Sequence, residues 1–286
     1  MDIRLDEGFL FGMGVFETVA VEQGRPLLLE QHLNRMQGSA DFLKLGSCAE
    51  RGLTKEKIAE YLSTQEMSVK MHGALKIVMS AENTFFQMRE NPYMDEIYSR
   101  GFMTDLSKVR RNETSPLVYH KTFNYGDCVL EKRAAAAAGI NEKIFINTKG
   151  QISEGTVCNV FFVRKNMIYT PQLSCGLLPG ILREYIMERF QVTETIIYPD
   201  ELMYYEECFV TNSLMGVMPV RQLGNICFPH RVKADEVREI YEKEKMSLGG
   251  AFFLPELCQK SHSVPKVTKK RLTFKGGVLY NRKIRK

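Results

Sequence analysis

Apolar positions along the 286-residue chain switch between a spacing of two and a spacing near 3.6, and each switch marks a predicted element. Val15 to Ala20 and Pro26 to Leu29 read as short strands around the turn Glu22-Gln23-Gly24-Arg25. Leu33, Met36, Ala40 and Leu43 recur on one face and predict a helix over Leu29 to Leu43. A second helix is predicted over Thr54 to Leu62, with Thr54 as its cap. Ala74 to Ser80 and Gly101 to Ser107 are β-like runs. Arg110 to Pro116 is polar, ends in proline and reads as a linker.

Past that linker the pattern predicts a helix over Asn124 to Ala138, stopped by Gly139. Strands are predicted at Lys143 to Asn147, Thr156 to Arg164, Met167 to Tyr169 and Glu207 to Thr211, with Lys149-Gly150 as a hairpin turn. Leu178-Pro179-Gly180 opens a helix that runs to about Phe190, and Ala234 to Lys245 forms a final one. The result is a mixed α/β (α+β) chain in two domains. A small N-terminal domain spans 1–109, a linker 110–116, a larger domain 117–246, and a tail 247–286. With 44% hydrophobic residues the chain can build cores of that size.

Charge sharpens the division. Residues 247–286 hold ten Lys or Arg against the single acidic Glu256, a net of +9, while the whole chain is formally +5. The basic character belongs to the tail, which reads as a solvated segment, and the body gives no reason to expect a nucleic acid partner. Seven scattered cysteines without a C-x-x-C pair predict reduced thiols and no metal site. No apolar run has membrane-spanning length, and a soluble cytoplasmic protein is expected.

Candidate chemistry is sparse when each residue is taken alone. Lys121, in Lys121-Thr122-Phe123-Asn124-Tyr125, follows the segment Leu117 to His120, read as extended, and precedes a helix. It is either a surface lysine or an amine projected into a cleft. Glu154 is either a solvated turn carboxylate or a partner for a protonated ring nitrogen. Arg35 is either an exposed helix charge or a phosphate fork. The helix start at Leu178-Pro179-Gly180 offers free N–H groups to an anion. Thr211-Asn212-Ser213 shapes a turn or binds phosphate. Phe11-Gly12-Met13-Gly14 supplies only a G-x-G, so a dinucleotide fold has little support.

Taken in order, these segments form a set. F-G-x-G-x-F-E-T (Phe11 to Thr18) is followed by H-L-x-R (His32 to Arg35) and K-x-x-N-Y (Lys121 to Tyr125). Then come S-E-G-x-x-x-N-x-F (Ser153 to Phe161), L-P-G-I (Leu178 to Ile181) and T-N-S-L-M-G-V-M-P-V (Thr211 to Val220). Over about residues 6 to 225 the chain resembles the class IV aminotransferases, the fold-type IV pyridoxal phosphate enzymes. These include branched-chain and D-amino acid transaminases and aminodeoxychorismate lyase.

The resemblance implies a small α/β N-terminal domain, a larger barrel-like C-terminal domain, pyridoxal 5'-phosphate as cofactor, and a homodimer. It makes Lys121 the lysine that bonds the cofactor and later shuttles a proton, and Glu154 the partner of the pyridine nitrogen. Arg35, the backbone N–H groups of Ile181 and Leu182, and the Ser213 hydroxyl would bind the phosphate. Tyr125 would approach the phenolic oxygen, although branched-chain enzymes space their lysine and tyrosine one residue further apart. Phe16 would line the substrate pocket. Arg89, in the region where D-amino acid transaminases carry an R-x-H carboxylate trap, reads equally as a substrate contact or a solvated loop charge. The K-x-x-N spacing and the T-N-S-L-M-G-V-M-P-V segment are most similar to the lyase. The first expectation is therefore a 4-amino-4-deoxychorismate lyase of the folate pathway, releasing pyruvate and 4-aminobenzoate. A branched-chain or D-amino acid transaminase is the alternative, followed by a non-catalytic cofactor-binding relative.

Overall fold

The period of two along β1 (Gly14–Glu22) gives the first sheet two faces, and the strand is buried except at Thr18 and Glu22, which are half-buried. β1 pairs antiparallel with β2 (Arg25–Pro26) and β3 (His72–Ser80), and β3 with β4 (Thr84–Glu90), in the order β2-β1-β3-β4. Val15, Val19 and Val21 of β1 join Leu75, Ile77 and Met79 of β3 on one face. They pack against Leu29, Met36 and Ala40 of α2 (Leu29–Phe42) and Ile58 and Leu62 of α3 (Lys55–Ser63). By the same register Phe16, Thr18, Lys76 and Arg89 share the opposite face. Short helices α1 (Glu7–Phe11) and α4 (Met67–Met71) lead into β1 and β3. Thr54 caps α3 as predicted, accepting from the Lys57 N–H.

The computed structural model describes residues 3–248, all within one unit, Met1–Phe253. The predicted tail lies outside the described residues beyond Leu248. Among the described residues, no helix is long and apolar enough to cross a membrane.

The second sheet begins after α5 (Asp95–Arg100), with β5 (Phe102–Arg111). It continues through α6 (Gly126–Ala137), β6 (Glu142–Asn147), β7 (Ile152–Gly155), β8 (Asn159–Arg164) and β9 (Met167–Pro171). Then follow α7 (Ile181–Arg189), β10 (Val192–Thr195), β11 (Glu207–Asn212), β12 (Gly216–Leu223), β13 (Ile226–Cys227) and α8 (Val232–Leu248). The strand order is β10-β9-β8-β11-β12-β5-β6-β7, with β13 on β12. This sheet curls into a half-barrel, so the mixed α/β architecture expected from the resemblance is the one observed.

The run Val160-Phe161-Phe162-Val163 is continuously apolar because both faces of β8 are covered. Val160 and Phe162 face a core with Cys208, Val210 and Met218. Phe161 and Val163 lie beneath α7 and α8, where the ring of Phe161 stacks on Phe209 at 4.9 Å.

Several local expectations change. β5 belongs to the second sheet and extends through Arg110 and Arg111, residues read as linker, because they pair with Ile146 and Asn147 of β6. The strand read over Pro26 to Leu29 stops at Pro26. Leu27, Leu28 and Leu29 are all buried, and Leu28 turns the chain at φ +52° into α2. Leu117 to His120, read as extended, contains a 3-10 turn over Pro116–Tyr119, with proline at its start. The strand read from Thr156 begins at Asn159, and Glu154 sits on a separate strand, β7. Arg89, read in a loop, is on β4.

Removing the Phe209 ring should leave a cavity beneath α7 and α8. Phe209→Ala is expected to lower stability by about 3–5 kcal/mol, read as a shift of the denaturant midpoint without a change in slope.

Candidate active site

Lys121 is held by the edge of the first sheet. The Phe16 N–H donates to the Lys121 carbonyl at 3.0 Å, and the Phe123 N–H donates to the Gly14 carbonyl at 2.8 Å. Thr122 forms a bridge with Val15 between them. This close approach requires a glycine, since a Cβ at Gly14 would lie 2.3 Å from the Phe123 ring. The Lys121 ammonium position is thereby fixed 4.6 Å from the Phe16 ring centre and 5.0 Å from that of Tyr125. Phe16 and Tyr125 meet edge to face at 5.2 Å, and the Tyr125 hydroxyl donates to the Thr156 carbonyl.

A cavity of about 560 Å³ opens beside Lys121, and all nine residues singled out in the sequence line it. Phe16, Arg35 and Arg89 come from the first sheet and α2; Lys121 and Tyr125 precede α6; Glu154 lies on β7. Ile181 and Leu182 open α7, and Ser213 follows β11.

The charges in this cavity are unequal in their company. Glu154 is buried and accepts from Arg111 Nη2 at 2.6 Å, from Arg111 Nε at 3.2 Å and from the Leu178 N–H at 3.1 Å. Burial pushes its carboxyl above the ordinary value, and the Arg111 guanidinium opposes that push. Arg35 lies in a buried ion pair with Glu17, at 2.7 Å, and donates to the Pro179 carbonyl at 2.9 Å. Lys121 has no ion-pair partner among the described residues. Burial, helped by the nearby Arg35 charge, lowers its amine to about 8.

Four features fit pyridoxal phosphate. A carboxylate offers about four lone-pair sites, so Glu154 retains room for one ring N–H beyond its three protein donors. The α7 cap residue Gly180 has no side chain to satisfy the first-turn N–H groups of Ile181 and Leu182. A Cβ at Gly180 would meet Asn159 Oδ1 at 1.9 Å, so backbone alone borders the cavity there. The buried Thr211 hydroxyl lines the cavity without a hydrogen-bond partner among the described residues. Together these form a helix-end anion cradle at one side and an amine and a carboxylate at the others.

Sequence reading gave no role to Glu17 or Arg111, whereas Thr211 belongs to the segment read as a turn or a phosphate contact. Glu17 carried a signal: it is a charge within the otherwise apolar Val15, Val19, Val21 stripe. Arg111 carried none, since its segment looks like a polar connection.

An ordinary lysine amine, near 10.5, is almost wholly protonated at pH 8, whereas Lys121 is about half neutral there. The neutral amine is the nucleophile, so cofactor capture by the apo protein should accelerate as pH rises through about 8. Stopped-flow absorbance should show that profile, and Lys121→Ala should give no visible cofactor band.

A family model for amino-transferase class IV matches residues 14–223. The chain is 25% identical over 261 residues to a putative branched-chain-amino-acid aminotransferase of Methanocaldococcus jannaschii, covering 84% of this chain and 88% of that protein. It is also 25% identical over 241 residues to the aminodeoxychorismate lyase of Bacillus subtilis, covering 77% and 81%. The branched-chain aminotransferase structure from Thermoproteus uzoniensis superposes with a TM-score of 0.74 at 19% identity, covering 86% of this chain and 90% of that one. With the matched span covering most of its length, the chain belongs to the class IV aminotransferase family.

Proposed function

We propose that the protein is a pyridoxal-phosphate-dependent transaminase of α-amino acids. The observation that carries this reading is the Lys121 amine, held at about 8 and set in one cavity with the Glu154–Arg111 pair. When bound, pyridoxal phosphate supplies an electron sink for the pair released from the Cα–H bond. Arg35, Ser213 and the Ile181 and Leu182 N–H groups would hold its phosphate, and the Thr211 hydroxyl lines the same cavity. Glu154 would keep the ring nitrogen protonated through its remaining acceptor position. Tyr125 stands beside Lys121 and would approach the cofactor's phenolic oxygen. Lys121 Nζ would take and hold the proton of the substrate Cα and move it within the cavity.

Leu117, Val118 and Leu214 line the same cavity and suit an aliphatic side chain. The names of the archaeal relative and the archaeal structure point the same way. A second reading, aminodeoxychorismate lyase, rests on different residues. Lys76 and Arg89 share the Phe16 face of the first sheet, and Lys76 Nζ lies 4.8 Å from the Phe16 ring centre. Such cations suit a substrate with an additional carboxylate, and the B. subtilis relative bears the lyase name. In that reading Lys121 removes the proton from the amine-bearing carbon, and pyruvate leaves as the ring becomes 4-aminobenzoate.

Cofactor-loaded protein given leucine and 2-oxoglutarate should form glutamate. Release of pyruvate and 4-aminobenzoate from aminodeoxychorismate, with no glutamate formed from any aliphatic donor, would replace the transaminase reading with the lyase. Absence of both products would leave a cofactor-binding protein without either activity.

The family resemblance also implies a homodimer. Phe9, Leu10 and Phe11 of α1 are 55–74% exposed, an apolar surface that a second copy would cover. Light scattering should give twice the chain mass, and Phe9→Asp with Phe11→Asp should halve it.

A further inference from the structure

Glu17 is fully buried on a strand face that is otherwise apolar. An isolated carboxylate there would be costly, and three donors answer it. His32 Nδ1 lies 2.7 Å from Oε2, Arg35 Nη2 also lies 2.7 Å from Oε2, and Arg35 Nε lies 2.8 Å from Oε1. Burial works to raise the Glu17 carboxyl, but Arg35 and His32 outweigh it and hold it well below the ordinary carboxylate range. Burial lowers His32, so its ring is neutral and donates Nδ1–H.

The effect on Arg35 is geometric. A guanidinium carries five N–H donors in one plane. Two are engaged by the Glu17 carboxylate side-on and one by the Pro179 carbonyl at 2.9 Å. Two remain. The plane that carries them is fixed from β1 on one side and from the segment before α7 on the other. Arg35 thus borders the cavity with Gly180, Ile181 and Leu182 with no freedom to swing.

We propose that Glu17 is a positioning residue for phosphate recognition, clamping Arg35 so that its two free N–H groups face the same anion as the α7 N-terminus. The inference rests on the pyridoxal phosphate reading of the site. Glu17 itself touches no cofactor. It converts a flexible cation into a fixed fork, so its loss should be felt by ligands that carry the phosphate and not by those that lack it.

The test compares binding of pyridoxal phosphate and of pyridoxal, which lacks the phosphate, to the full-length apo protein by absorbance titration. Glu17→Gln should weaken pyridoxal phosphate about ten-fold or more, roughly 1.4 kcal/mol, while leaving pyridoxal binding nearly unchanged. Arg35→Met should do the same, and the double variant should lose no more than Arg35→Met alone. Should Glu17→Gln fail to fold, Glu17→Asp keeps the charge on a shorter arm, and an intermediate, phosphate-dependent loss is expected. Equal losses for both ligands, or additive losses in the double variant, would overturn the clamp while leaving the cofactor reading intact. A wild-type protein that binds neither ligand would overturn both.

Discussion

Desolvation of charge governs this molecule. Several ionisable side chains sit where water is scarce, between a four-stranded sheet and the start of a curled one. Three buried carboxylates are matched by cationic or imidazole partners: Glu17 by Arg35 and His32, Glu154 by Arg111, Glu142 by Lys132. Breaking such a pair strands a charge at a cost of about 3–5 kcal/mol, so each pair fixes two elements against each other. The Glu17 group ties β1 to α2. The Glu154–Arg111 pair ties β7 to the end of β5. Lys121 stands apart from this pairing, and burial together with the Arg35 charge depresses its amine.

Much of the fold was legible because its elements report on one burial face each. β1 sets Val15, Val19 and Val21 on one face, α2 repeats at helical spacing, and Thr54 announces α3 through its cap. Less legible were segments whose partner lies far along the chain. Arg110 and Arg111 look like a polar connection until β6 arrives beside them. Leu27 to Leu29 look like a strand, yet all three are buried in a turn whose Leu28 N–H meets the Leu248 carbonyl at the end of α8. No local pattern encodes such contacts.

The candidate site follows the same division. Lys121, Glu154 and the Leu178-Pro179-Gly180 helix start belong to ordered motifs, and the structure gathers them around one cavity. The residues that hold them in place were harder to find. Arg111 is distinguished only by what it touches. Glu17 broke the apolar rhythm of β1, an irregularity whose meaning appears once His32 and Arg35 are seen to converge on it.

The two-faced character of the first sheet has a consequence for how such a chain can diversify. Successive residues of β1 answer to different masters: Val15, Val19 and Val21 to the core beneath, Phe16 and Thr18 to whatever enters the cavity. Exchange of Thr18 or Arg89, both of which line the cavity, therefore rewrites what the wall offers a visitor while the packed face behind keeps its residues. The sheet works as a partition whose paint can be changed while its studs stay in place, so selectivity can drift faster than architecture.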